Sequence, residues 1–120
     1  MKNGIYYVTF SRHYQIFGEG TVVVMDNVVN GGDVGFMYQG QIHEQSLVLH
    51  VYQHDYRVPS LFKGILAFKF ILTISDAPYG YTLEGNVDGI DSKPVSLKAK
   101  YIGAIFQDAS ALPCKAKETV

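Results

Sequence analysis

Asn30-Gly31-Gly32-Asp33-Val34-Gly35-Phe36-Met37-Tyr38-Gln39-Gly40-Gln41-Ile42-His43-Glu44-Gln45-Ser46-Leu47-Val48-Leu49-His50-Val51-Tyr52-Gln53-His54 is the stretch whose periodicity decides the fold. Val34, Phe36, Tyr38, Gly40 and Ile42 recur at every second position, with Asp33, Met37, Gln39, Gln41 and His43 on the other face. That is the period of a half-buried strand. His43-Glu44-Gln45-Ser46 interrupts it, and beyond the break Leu47, Leu49 and Val51 alternate with Val48, His50 and Tyr52. The stretch therefore reads as a β-hairpin rich in the β-branched and aromatic side chains that suit a pleated surface. Gly31-Gly32 before the first strand predicts positive φ or a bulge.

The same alternation continues on both sides. Upstream, Ile5 to Phe10 forms one strand and Thr21 to Met25 a second, closed by Asp26-Asn27, two residues that tolerate the positive φ of a tight hairpin turn. Val28-Val29 pairs back briefly, while Ser11 to Phe17 carries no clear pattern. Downstream, Asp55 to Lys63 breaks the alternation; Pro59 places a loop there, with Leu61 and Phe62 tucked under the end of the sheet. In the run from Ile65 to Ile74, Leu66, Phe68, Phe70, Leu72 and Ile74 share an apolar face. Ser75 to Gly80 is a turn cluster, and Tyr81, Leu83, Gly85 and Val87 begin the next strand. Gly89 to Pro94 joins it to a last strand marked by Val95, Leu97, Ala99 and Tyr101.

The pattern predicts an all-β chain of seven or eight antiparallel strands in sequence order, closed into an up-and-down barrel that leaves no sheet edge unpaired. A single barrel domain is expected over residues 1–106 and a tail over 107–120. Helix is expected only at the carboxyl end, where Ile102, Ile105, Phe106, Ala109 and Leu112 fall at helical spacing before Pro113. If alternate faces point inward, Phe36, Tyr38, Phe68, Phe70, Tyr81 and Leu83 occupy much of the interior, since an eight-stranded barrel is just wide enough to be filled by side chains or to hold one small ligand.

With 120 residues, a formal net charge of −1 and no basic stripe, the chain lacks the electrostatic footprint of a nucleic-acid or anionic-membrane binder. Cys114 is the only cysteine, which excludes an internal disulfide and suits a reducing compartment. The amino terminus enters a strand pattern at once, so a cytoplasmic location is expected. No catalytic residue, metal ligand or cofactor is expected. His50 and His54 on a strand would lie about 13 Å apart, too far to share a metal. His13 and His43 have no partner near them in sequence, and Glu84 and Asp88 read as a solvated face. Nine tyrosines without tryptophan, and apolar residues on both faces of several strands (Tyr6 with Tyr7, Ile71 with Leu72), predict a homodimer.

Gly4-Ile5-Tyr6, Gly18-Glu19-Gly20, Gly31-Gly32-Asp33, Tyr38-Gln39-Gly40 and Pro59-Ser60-Leu61, in that order and at this spacing, resemble the GrlR family of negative regulators of bacterial type III secretion. The likeness covers roughly residues 4 to 62; later strands match only in length and alternation. It implies a lipocalin-like or calycin-like barrel, a homodimer, and a regulatory function exerted by holding a helix-turn-helix transcriptional activator away from DNA. A member of that family carries alternating acidic residues in the turn that corresponds to His43, Glu44, Gln45 and Ser46, and the resemblance places partner contact on these four. Only Glu44 remains acidic here, so the same activator need not be recognised. The alternative is a carrier or sensor of a small apolar ligand or lipid held inside the barrel.

Overall fold

The computed structural model describes residues 1–58, 67–88 and 94–107. Eight strands follow one another: β1 (Gly4–Arg12), β2 (Gln15–Met25), β3 (Val28–Gly32), β4 (Phe36–His43), β5 (Ser46–Gln53), β6 (Ala67–Ala77), β7 (Gly80–Val87) and β8 (Val95–Gly103). Each pairs antiparallel with the next, and β1 pairs with β8, so the sheet is a closed up-and-down barrel. No helix among the described residues is long and apolar enough to cross a membrane.

Alternation fixes what the barrel encloses. Tyr6, Val8 and Phe10 of β1, Leu47, Leu49 and Val51 of β5, Phe70, Leu72 and Ile74 of β6 and Leu97 and Ala99 of β8 all point inward and are buried. Burying a side chain of this size contributes about 1.5–3 kcal/mol, and no polar or charged residue among those described is buried with them. The six expected interior residues all belong to this core. Tyr38, Phe70 and Leu83 are buried, and Phe36, Phe68 and Tyr81 are partly buried against the cluster.

Several boundaries differ from the sequence expectation. Ser11 to Phe17 is a hairpin: β1 runs to Arg12 and β2 starts at Gln15 around His13 (φ 53°) and Tyr14 (φ 64°). Asp26 (φ 51°) and Asn27 (φ 66°) make a second turn of the same kind, as expected. Val34 is not a strand residue; β4 starts at Phe36 because the Asp33 side chain caps the Gly35 and Phe36 amides and ends the pairing. Gly31 and Gly32 are ordinary strand residues rather than a bulge or a positive-φ pair, and continue the β2–β3 register without interruption. Their lack of a side chain matters for approach: a Cβ on Gly31 would lie 2.1 Å from the Thr21 carbonyl oxygen. The expected turn from Ser75 narrows to Pro78 and Tyr79, since β6 continues to Ala77. At the carboxyl end Ile102 belongs to β8 and residues 104–107 form no helix, because pairing with β1 holds the chain extended to Gly103. The rest of that predicted helix, with Ala109 and Leu112, lies outside the described residues, as do Leu61 and Phe62.

Candidate functional site

Phe10 lies at the inner end of an aromatic-lined cavity. Its ring centroid is 5.0 Å from that of Tyr38, 5.9 Å from Phe70 and 6.0 Å from Phe17. Phe68 stands edge-on to Phe70 at 5.4 Å and meets Phe36 at 6.3 Å. These rings come from β1, β2, β4 and β6, and with Val34, Val51 and Val58 they line a cavity of about 270 Å³. Below Phe10 the core is packed, with a void of only about 20 Å³ among Met1, Val8, Val22, Leu49, Leu83 and Leu97. Among the described residues the interior is thus packed over one half and leaves a cavity over the other. Phe36, Tyr38, Phe68 and Phe70 line the hollow half, Leu83 the filled half, and Tyr81 the far end beside Tyr6 and Tyr101.

One polar hub is built into the cavity wall. Asp33 Oδ1 accepts hydrogen bonds from the Gly35 amide (2.8 Å) and the Phe36 amide (2.7 Å), and Oδ2 accepts the Tyr38 hydroxyl. Burial, reinforced by the hydrogen bond and the negative charge of Asp33, pushes the Tyr38 hydroxyl well above the usual phenol range. Gly20 makes room for this arrangement, since a Cβ there would come within 2.8 Å of the Tyr38 ring and of the Gly32 carbonyl oxygen. Gly18-Glu19-Gly20, Gly31-Gly32-Asp33 and Tyr38-Gln39-Gly40, separate in sequence, therefore assemble one wall across β2, β3 and β4.

Residues after β5 are stitched to that wall. The His54 amide donates to the Gly35 carbonyl oxygen (2.8 Å), and His54 Nε2, 2.9 Å from the Asp33 carbonyl oxygen, donates to it in the tautomer that carries its proton there. Gln53 Nε2 donates to the Val58 carbonyl oxygen at 2.7 Å. Asp33 and the residues after β5 thus hold the rim. Sequence reading assigned Asp33 to a strand face and passed over Phe10, Phe17 and Val58; the first clue to the hub is an Asp five residues before an inward Tyr.

His43, Glu44, Gln45 and Ser46 lie at the opposite end, where His43 pairs with Ser46 around Glu44 (φ 55°), and all four are exposed. β4, eight residues long, runs about 23 Å from His43 at the tip to Phe36 at the far end of the cavity wall. Next to the tip, Met25, Val28, Gln41, Val48 and Ile71 stand opposite one another in a row across the outside of β2 to β6. Met25, Val28 and Ile71 are each more than two-fifths exposed. Met37, Tyr52 and Ala67 form a second outer row, and Asn30, Gln39, His50 and Lys69 a polar row between the two.

His50 stacks on Tyr52, and Asp88 pairs with Lys69 at 3.2 Å. Among the described residues no three His, Cys, Asp or Glu side chains converge as metal ligands. Comparison with protein-family models and with curated proteins finds no match for this chain.

Proposed function

We propose that this protein is a regulatory binding module resembling the GrlR family, which acts by protein–protein contact and sequesters a transcriptional activator. The observation that carries this reading is the row Met25, Val28, Gln41, Val48 and Ile71, apolar but for Gln41, on the outside of a barrel whose inside is already lined with apolar side chains. Exposed apolar surface organised in a row next to a projecting turn suits a partner rather than water. A second copy of the chain covers the outer rows, and His43, Glu44, Gln45 and Ser46 beside them meet the activator. With a net charge of −1 the protein works without binding DNA itself. Glu44 offers its carboxylate to a basic group of the activator's DNA-binding surface.

Sedimentation at micromolar concentration should give a dimer, and a lone 13.3 kDa species would remove the second copy. A partner recovered by pull-down should bind Glu44→Lys more weakly by about 1–3 kcal/mol in calorimetry, with the barrel still folded. Equal affinities would move the contact away from the tip.

The aromatic cavity favours a second reading, in which the barrel takes a small apolar ligand. A 150 Å³ apolar cavity is enough for benzene, so about 270 Å³ accommodates something larger than one ring.

A further inference from the structure

We infer that the cavity is selective for a compact, uncharged, ring-bearing molecule that carries one hydrogen-bond donor, a phenol or hydroxylated bicycle rather than a fatty acid. This rests on the second reading above, that the cavity takes a ligand at all. Shape argues for compactness: Phe10, in contact with Tyr38 and Phe70, ends the cavity halfway down the barrel, leaving no channel for an extended acyl chain. Aromatic walls on three sides favour a flat ring packed edge-on or offset against Phe36, Phe68 and Phe70.

Charge argues against an acid. No Lys, Arg or His is among the described residues that line the cavity, and its one inward polar hub is the carboxylate of Asp33. A ligand carboxylate drawn in beside Asp33 would be desolvated next to a like charge, with no cation among the described lining residues to meet it. The hydrogen bonds already made fix the remaining preference. Tyr38 uses its only proton on Asp33, and Asp33 already accepts from two amides, so the hub offers a ligand only acceptor lone pairs. A hydroxyl or N–H on the ligand satisfies one of them, whereas an ether, ester or carboxylate oxygen finds no donor in the hub.

Three probes on one ring body separate these points: 2-naphthol, 2-methylnaphthalene and 2-naphthoate. Titration calorimetry reads the binding of each, in the wild type and in the variant alike. We expect 2-naphthol to bind about tenfold more tightly than the methyl compound, as one hydrogen bond allows, and 2-naphthoate to bind more weakly than both. Val51→Trp, which places a large ring in the cavity, should abolish binding of 2-naphthol while melting as a folded protein. Equal binding of naphthol and methylnaphthalene, both lost in Val51→Trp, would overturn the donor preference and leave the ligand-binding reading standing. Naphthoate binding as tightly as naphthol would overturn the selection against acids. Failure of all three to bind the wild type, or naphthol binding undiminished by Val51→Trp in a folded variant, would overturn both the inference and the reading beneath it.

Discussion

At the end of the barrel that carries the Asp26-Asn27 and Glu44-Gln45 turns, Met1 and Lys2 before β1 are drawn in against the core; at the end that carries Asp33 to Gly35, the described residues leave an aromatic-lined cavity. Tyr6 is fully buried at the first end, with ring centroids 5.5 Å from Tyr101 and 5.9 Å from Tyr81. Its hydroxyl donates to the Lys2 carbonyl oxygen at 2.6 Å, the Lys2 amide donates to the Tyr81 hydroxyl at 3.0 Å, and the Lys2 ammonium lies 4.0 Å above the Tyr101 ring. Met1 packs on the core below. The second end is richer in aromatic rings yet keeps a cavity of about 270 Å³. Side-chain bulk is therefore not what decides whether a barrel is full. At the first end the hydroxyls are anchored to a backbone segment that is drawn in over the core; at the second, Tyr38 is anchored sideways to Asp33 on the wall, and the centre stays open.

The largest test of this contrast is a pair of truncations. Leu83→Ala in the filled half should cost about 3 kcal/mol in chemical denaturation, and Phe36→Ala beside the cavity about 1.5 kcal/mol despite removing the larger side chain, because its neighbours already face empty space. Equal losses would mean that both halves are packed alike. A smaller effect is expected from the two buried phenols. Burial raises the Tyr6 hydroxyl, with Tyr81 and Tyr101 adding to the shift, and burial followed by Asp33 raises that of Tyr38. A phenol whose folded-state value is raised stabilises the fold below its unfolded value and loses that contribution as pH climbs, so stability should hold to about pH 9 and fall above about pH 10. Tyr6→Phe and Tyr38→Phe should each cost about 1 kcal/mol at neutral pH and each flatten part of the alkaline fall. If only Tyr38→Phe flattens it, the Tyr6 end is not sealed. The smallest effect belongs to the turns, where Tyr14 at one end and Glu44 at the other both have positive φ. Tyr14→Asn and Glu44→Asn should each raise stability by about 0.5 kcal/mol, since both residues are exposed in left-handed backbone that Asn adopts at lower cost.

The closed antiparallel barrel was legible in the sequence because five of its strands, β4 to β8, show a two-residue period, and because Asp26-Asn27 names its own turn. His13-Tyr14 did not, since neither residue is a common turn former and the tertiary register of β1 against β2, rather than local preference, imposes their backbone. Of the six residues read as interior, Tyr38, Phe70 and Leu83 are buried and Phe36, Phe68 and Tyr81 pack against them, and whether Phe36 and Phe68 fill the barrel or line a cavity depends on how far each ring reaches from its strand. Asp33 was hidden for a related reason. Its neighbours Val34 and Gly35 continue the alternation of β4 on paper, and only the bonds from the Gly35 and Phe36 amides show that the carboxylate ends the strand instead of decorating it. The tip residues were correctly placed at a turn, while the apolar row beside them required the registers of five strands to be known together.

Closure of the sheet through β1 and β8 has a consequence for the order of assembly. Ser11 donates its hydroxyl proton to the Ser96 carbonyl oxygen across a sequence separation of 85 residues, and Tyr6, Val8 and Phe10 pair with Tyr101, Ala99 and Leu97 along the same seam. During synthesis the first strand to emerge is paired with β2 on one side and unsatisfied on the other until the eighth has left the ribosome. Closing so long a loop sets a slow folding step that the seven hairpin contacts do not share. Throughout that interval the exposed edge of β1, with Ile5, Tyr7 and Thr9 alternating against its buried partners, is open to pairing with the same strand of another nascent chain.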